Sequence, residues 1–369
     1  MILILSMQEE TMKITDVKME KFSIELEEPF NVAFAEITHT VSIIVKIETD
    51  EGYTGYGEAA PFAPVTGETV EGCLEILRLF RQGLIGMDPL DIEKAHAMMD
   101  GVAHGNGSAK CAIDIALYDL KGKCMGQPLY RVLGGYDNEV QNDITVVINP
   151  PEKMAAQAEH FVKDLGYHIL KVKTGICPED DLLALSLIRE AVGPDIRLRI
   201  DANQGYDYSQ ALFMLEEMKK YGVEAAEQCL PDWDLDGAAR LRKQSNGIKL
   251  MLDESLHTIR DAAKICKAEA ADIMNIKLMK CGGLYRASQI NAIGESFGVP
   301  CMVGCMIETK ISITAGLSLV AAKKNITESD CDTFLFYKDG DTGMPGGFEI
   351  HGDRFRLLDR PGLGLDISF

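Results

Sequence analysis

The strongest constraint in this chain is a repeat of pattern rather than of residues. From about residue 140 onward, short aliphatic runs alternate with amphipathic helical stretches, seven or eight times over. The runs are Ile144–Ile148, His168–Val172, Ile196–Ile200, Val223–Ala226, Ile248–Leu252, Ile273–Ile276, Cys301–Val303 and Asn325–Thr327. Helical patterns such as Asp180–Ala191, Tyr208–Tyr221, Ile259–Lys267 and Leu284–Phe297 fall between them. Short apolar runs between helices read as strands buried on both faces, so the repeat predicts an α/β fold with a TIM-type barrel. An open doubly wound sheet is the structural alternative.

The residues that close these runs are charged. Lys171 and Lys173 stand two apart at the end of the second run, so on a strand both project to one face. Burial and a like-charged neighbour both disfavour the charged lysine, which suits such a residue to act as a base. Asp201, Glu227, Asp253 and Lys277 end the next four runs, spaced 28, 26, 26 and 24 residues apart after Lys173. One βα unit of a barrel has about that length, since about 250 residues cover eight. The side chains therefore recur at the C-terminal ends of successive strands, the face where barrels carry their chemistry. Three adjacent carboxylates repel one another unless a cation joins them. An all-oxygen set without Cys or His points to Mg²⁺, with Mn²⁺ as a substitute. Lysines flank this acidic group on both sides. That arrangement suits removal of a proton from a carbon next to a carboxylate and its return to the opposite face.

The last two strand ends supply candidate substrate contacts. Gly304-Cys305-Met306-Ile-Glu308 follows the seventh run, with Cys305 and Met306 at the site. Asp330-Cys331-Asp332 follows the eighth, and its two acids again share a face. Carboxylates not needed for a metal would hold a cation such as a substrate amine.

Before the barrel, Lys13–Glu25 and Val41–Thr49 read as strands, and Asp50-Glu51-Gly52 turns into Tyr53–Ala59 as a hairpin. Glu28–Thr40 reads as a loop. Helices are predicted over Val70–Gln82, Pro89–Met99 and Ala109–Met125, the last capped by Ser108. These elements form a separate α+β domain over 12–135, followed by a barrel over 136–338 and a tail over 339–369. The tail's Phe348–Ile350 and Phe355–Leu358 segments are expected to return to the first domain as strands. Residues 1–11 read as an extension without a place in the core, too short for a membrane span.

The net charge of −20 argues against nucleic acid as a partner. No glycine-rich nucleotide motif is present, and no membrane partner is expected. Ten scattered cysteines without a Cys-x-x-Cys pair read as reduced thiols of a cytoplasmic protein, the near pair Cys301 and Cys305 as packing residues. The seven histidines lack metal spacing and read as surface or structural.

Over residues 13–369 the sequence resembles the enolase superfamily, muconate-lactonizing subgroup. The resemblance rests on Gly55-Tyr-Gly-Glu-Ala59, Ala112-Ile-Asp-Ile-Ala-Leu-Tyr-Asp-Leu120, Pro128-Leu-Tyr-Arg-Val-Leu-Gly-Gly135, Lys171-Val-Lys173, Asp201-Ala-Asn203, Glu227-Gln228 and Asp253-Glu-Ser255. Within the subgroup it is most similar to dipeptide epimerases, through Asn275-Ile-Lys-Leu-Met-Lys-Cys-Gly-Gly283, Met302-Val-Gly-Cys-Met-Ile-Glu-Thr309 and Asp330-Cys-Asp332. The resemblance implies an α+β capping domain over a (β/α)7β barrel. It implies Mg²⁺ on Asp201, Glu227 and Asp253, Lys173 and Lys277 as acid/base catalysts, and Lys171 setting the charge around Lys173; a lysine base with Mg²⁺ is a general feature of enolase-superfamily sites. It further implies Asp330 and Asp332 on the α-ammonium of a dipeptide substrate, epimerised at its C-terminal residue. An assembly of identical chains is expected.

Two departures stand out. Members acting on Ala-Glu carry a basic residue in the first capping loop, whereas Pro29-Phe-Asn-Val-Ala-Phe-Ala-Glu36 has no Lys or Arg. Phe34 or Glu36 facing the pocket would suit an apolar or a cationic side chain instead, and a hydrophobic dipeptide is the favoured expectation. Cys229 replaces the usual proline after Glu227-Gln228, which would loosen that turn. The alternatives are an o-succinylbenzoate synthase, an N-acylamino acid racemase or another muconate-cycloisomerase-like activity, and, in a different class, a non-catalytic binding protein on an enzyme scaffold.

Overall fold

The computed structural model describes residues 11–338 and 343–368. The extension expected at the N-terminus therefore lies, but for Thr11, outside the described residues, as do 339–342 and 369 of the tail. Strands β1 (Ile14–Val32), β2 (Ala35–Thr49) and β3 (Thr54–Ala59) make an antiparallel sheet. Helices α1 (Ala63–Thr66), α2 (Val70–Leu84), α3 (Ile92–Val102), α4 (Gly107–Met125) and α5 (Leu129–Leu133) follow. Their core packs Ile43, Val45, Leu77, Phe80, Met99, Ile113 and Leu117 together. Helix α4 lies directly on β3: a Cβ on Gly57 would fall 1.9 Å from the Ala112 carbonyl oxygen, so only glycine permits this approach.

Two readings of this region change. Glu28–Thr40 is no loop; β1 and β2 continue through it as a long hairpin that turns at Ala33-Phe34. The register shifts between Glu25 and Phe30, and this bulge interrupts the alternation that would have marked the strands. Ser108 does not cap α4. Instead Glu68, 40 residues upstream, accepts from the Ser108 backbone N–H at 3.1 Å and the Ser108 hydroxyl at 2.8 Å. A distant carboxylate satisfies the free amides of the buried helix start and the dipole together.

After β4 (Glu139–Gln141), eight parallel strands of one sheet follow in chain order: β5 (Ile144–Val146), β6 (Ile169–Lys173), β7 (Arg197–Asp201), β8 (Val223–Glu227), β9 (Lys249–Leu252), β10 (Ile273–Lys277), β11 (Cys301–Gly304) and β12 (Ile326–Asp330). The intervening helices are α6 (Pro151–Lys163), α7 (Pro178–Val192), α8 (Tyr208–Met218), α9 (Leu235–Gln244), α10 (Ile259–Ala268), α11 (Leu278–Cys281) with α12 (Leu284–Phe297), and α13 (Lys310–Ala322). Prolines open α6 and α7, and reciprocal capping boxes start α8 (Asp207, Gln210) and α10 (Thr258, Asp261). Side chains draw β12 towards β5: Thr145 N–H donates to Asp332 Oδ2 at 2.7 Å and Cys331 N–H to Asn142 Oδ1 at 2.9 Å. The fold is thus a nearly closed (β/α)7β barrel beneath an α+β cap.

The tail strands β13 (Phe348–His351) and β14 (Arg354–Leu357) pair with β4 rather than with the three-stranded sheet. Farther on, the tail meets the first domain through a single parallel bridge, Gly362 to Pro128, and Leu363 N–H donates to Asp119 of α4 at 2.8 Å. All ten cysteines are free thiols. Among the described residues no helix is long and apolar enough to cross a membrane.

Candidate active site

Strand register builds the site. Lys173 is paired with Asp201, Asp201 with Glu227, Lys277 with Gly304, and Gly304 with Asp330. Asp253 follows β9 directly. The side chains at these strand ends form a buried polar floor. Strands β6 and β10 are four apart in a barrel of eight, so Lys173 and Lys277 rise from opposite walls with the three carboxylates along the arc between them. Gly304 makes room for this: a Cβ there would stand 2.8 Å from Asn275 Oδ1 and 3.2 Å from Lys277 Cε.

Each lysine sits on a carboxylate. Lys173 Nζ donates to Asp201 Oδ2 at 2.6 Å and to Asn203 Oδ1 at 3.2 Å. Lys171 Nζ lies 2.7 Å from Asp330 Oδ2 and 3.1 Å from both Asp201 Oδ2 and Glu227 Oε2. Lys277 Nζ is 2.8 Å from Asp253 Oδ2, and Lys280 bonds the other oxygen of Asp253. The expectation that burial and like charge would dominate at Lys171 is corrected by these contacts. Burial works against its charge, but Asp330, Glu227 and Asp201 outweigh it and hold its pKa well above the usual lysine value. Lys277 is raised in the same way, burial being overcome by Asp253.

The acids are pushed apart. Burial would raise Asp201, yet Lys173 and Lys171 bring it down to about 2. Glu227 is raised to about 7 by burial and by neighbouring Asp201. Asp332 is raised to about 6 by burial and Asp330. Adjacent carboxylates driven to such different values mark a site tuned for charge.

Above the floor lies a cavity with about 830 Å³ of empty space, its open mouth included. Lys171, Lys173, Asp253, Lys277, Cys305, Met306, Asp330 and Asp332 line its lower part. Phe30, Val32, Phe34 and Ile37 of the hairpin and Phe62 and Val65 of the cap close it from above, with His39 and Thr40 as polar members. Phe34, at the tip, faces Phe62 with ring centroids 6.3 Å apart. Glu36 is not part of this wall: it alternates with Ile37 on its strand, is exposed, and points away. The cationic side chain that Glu36 was expected to suit loses its partner there.

The donor set fits a divalent cation. Asp201, Glu227 and Asp253, the acids at three successive strand ends, offer oxygen only, and Glu254 Oε2, next in sequence to Asp253, is buried without a hydrogen-bond partner. Six acids (these four, Asp330 and Asp332) stand among four lysines at the floor, and burial and mutual repulsion raise Glu227, Glu254 and Asp332, a strain that a bound divalent cation would relieve. Among the described residues no three of the acids stand as a ready-made cage, because lysines occupy their oxygens.

Several partners escaped the sequence reading. Asn275 Nδ2 donates to Glu227 Oε1 at 2.6 Å, and Arg199 Nη1 bonds Asp143 at 3.0 Å lower in the barrel. Both lie two residues before a strand-end residue, so the same-face rule applied to Lys171 and Lys173 would have found them. Lys280 lies one helical turn beyond Lys277, where spacing alone carries no signal. The turn after Glu227 is not loosened by Cys229. Gln228, at φ +37°, pins it by accepting from Asp253 N–H at 2.9 Å and donating to Leu230 O at 2.9 Å.

Residues 153–368 match the family model described as enolase C-terminal domain-like, and residues 14–134 match that of the mandelate racemase / muconate lactonizing enzyme N-terminal domain. The chain is 46% identical to a hydrophobic dipeptide epimerase of Enterococcus faecalis over 96% of this chain and 99% of that one. It is 40% identical to an L-Ala-D/L-Glu epimerase of Clostridium acetobutylicum, again over 96% and 99%. Its fold superposes on the crystal structure of the dipeptide epimerase from Enterococcus faecalis complexed with Mg and the dipeptide L-Leu-L-Tyr, with a TM-score of 0.93, 42% identity, and 96% and 100% of the two chains covered.

Proposed function

The chain belongs to the mandelate racemase / muconate lactonizing enzyme family of enolase-like proteins, and from that premise we propose that it epimerises hydrophobic dipeptides at the C-terminal residue. It is an isomerase, as its epimerase relatives are. The observation that carries the reading is the placement of Lys173 and Lys277 on opposite walls of one cavity. One lysine enters as the amine and takes the α-hydrogen; the other enters as the ammonium and delivers a proton to the opposite face. Lys171 keeps a fixed positive charge two residues below Lys173. Asp201, Glu227 and Asp253 would hold Mg²⁺, which supplies positive charge that acidifies a hydrogen next to a carboxylate. Asp330 and Asp332, which also line the cavity, receive the substrate ammonium. The apolar upper wall, without Lys or Arg, favours apolar side chains over that of glutamate.

A dipeptide panel incubated with enzyme and Mg²⁺ in D2O tests this. Deuterium should enter the C-terminal α-carbon of hydrophobic L,L-dipeptides, and more slowly that of Ala-Glu. No exchange with any dipeptide overturns the reading. Asp332→Asn should lower kcat/KM about 100-fold on a free dipeptide, through loss of a buried charge partner, and only a few-fold on its N-acetyl analogue. Equal losses on both would favour an acid substrate lacking the amine.

A further inference from the structure

A second cavity, with about 1200 Å³ of empty space including its open mouth, lies beside the active-site cavity. Its walls include Glu27, Glu28, Ile144, Lys153 and Phe336. Phe30 lines both cavities and is the residue their walls share. Strand β5 runs along the same boundary, with Thr145 lining the first cavity and Ile144 the second, as side chains alternating along a strand must. Thr145 N–H is bonded to Asp332, so the acidic pair stands at this side of the active site. Phe30 is 7% exposed and sits edge-on to Phe336, centroids 5.3 Å apart, while Phe336 in turn meets Phe161 edge-on at 6.4 Å. The ring is therefore held in place from behind rather than free to swing.

We propose that Phe30 is the specificity-determining partition that limits the size of the N-terminal side chain of the substrate. This rests on the dipeptide reading above, in which the ammonium lies at Asp330 and Asp332. The N-terminal residue then extends towards β5 and meets the Phe30 ring, whereas the C-terminal side chain lies towards the lysines and Phe34. Small and medium apolar N-terminal side chains pack against the ring; a larger one collides with it. Without the ring the two cavities join.

The test compares kcat/KM for Trp-Leu, Ala-Leu and Ala-Phe in wild type and Phe30→Ala. The Trp-Leu to Ala-Leu ratio should rise at least about 10-fold in the variant, the scale on which a pocket discriminates by size. The Ala-Phe to Ala-Leu ratio should stay within about 2-fold. Phe30→Leu, which keeps an apolar side chain but loses the ring edge, should shift the same ratio in the same direction by less, and serves if Phe30→Ala does not fold. An active wild type with an unchanged N-terminal ratio in a folded variant overturns the partition alone, as does a shift confined to the C-terminal series. A wild type inactive on every dipeptide overturns the epimerase reading and the partition with it.

Discussion

The floor and the upper wall of the active-site cavity are built in opposite ways. At the floor Lys171 is 2% exposed and Asp201 fully buried, and each lysine is paired with a carboxylate. Above, Phe34 is 41% exposed at the tip of a hairpin and faces the Phe62 ring, centroids 6.3 Å apart. Removing one member of a buried ion pair strands the other, at a cost of about 3–5 kcal/mol. Exchanging one exposed apolar side chain for another costs little. The floor is thus constrained to one chemistry while the upper wall is free to change selectivity. Relatives described by different dipeptides at 46% and 40% identity accord with that division.

The contrast can be broken most sharply at the floor. Lys277→Ala should reduce epimerisation by a factor on the order of 10²–10⁴ while leaving the far-ultraviolet circular dichroism unchanged, as expected for loss of one acid/base group. Unchanged turnover in that variant would contradict the two-lysine mechanism.

A smaller effect is expected just beyond Lys173. Asp181 Oδ2 accepts from Gly175 N–H at 3.0 Å and from the Tyr206 hydroxyl at 2.7 Å, clasping the segments that follow β6 and β7. Burial, with Asp180 and Glu179 nearby, raises its pKa from the ordinary 3.8 to about 6. Between about pH 4 and 6 the folded chain therefore keeps a proton that the unfolded chain has released. The group's contribution to stability is present below that window and falls as pH rises through it, by at most about 3 kcal/mol. Urea unfolding across pH 4–7 should show this slope flattened in Asp181→Asn, whose carbonyl oxygen can still accept both bonds. An identical slope in the variant would remove Asp181 as its source.

The smallest effect belongs to the upper wall. Phe34→Ala should raise KM for a hydrophobic dipeptide about 10-fold or less and leave kcat near its original value, the signature of lost uniform binding. A fall in kcat equal to that produced at Lys277 would erase the distinction between the two regions.

The floor was largely legible in the sequence because a barrel imposes a period. Strands of nearly constant spacing end in Lys173, Asp201, Glu227, Asp253 and Lys277, and the βα unit length places those ends side by side. The partners Asn275 and Arg199 were within reach of the same alternation. The upper wall was harder to read. The sequence points to Phe34 as a wall residue, but the hairpin that carries it reads as a loop because its bulge breaks the two-residue period. Glu36 reads as a pocket residue as readily as Phe34, because a linear motif does not say which face of a strand it presents.

By itself the sequence determined the barrel, the cap and the charges at the strand ends, since local periodicity and spacing act through chain geometry alone. Only the tertiary structure decided that Glu68 caps a helix 40 residues away, that Lys280 shares Asp253 with Lys277, and that Phe30 stands between two cavities. Those contacts join segments far apart in the chain. Which side chains meet there depends on how closely the layers pack, a quantity that no stretch of sequence carries.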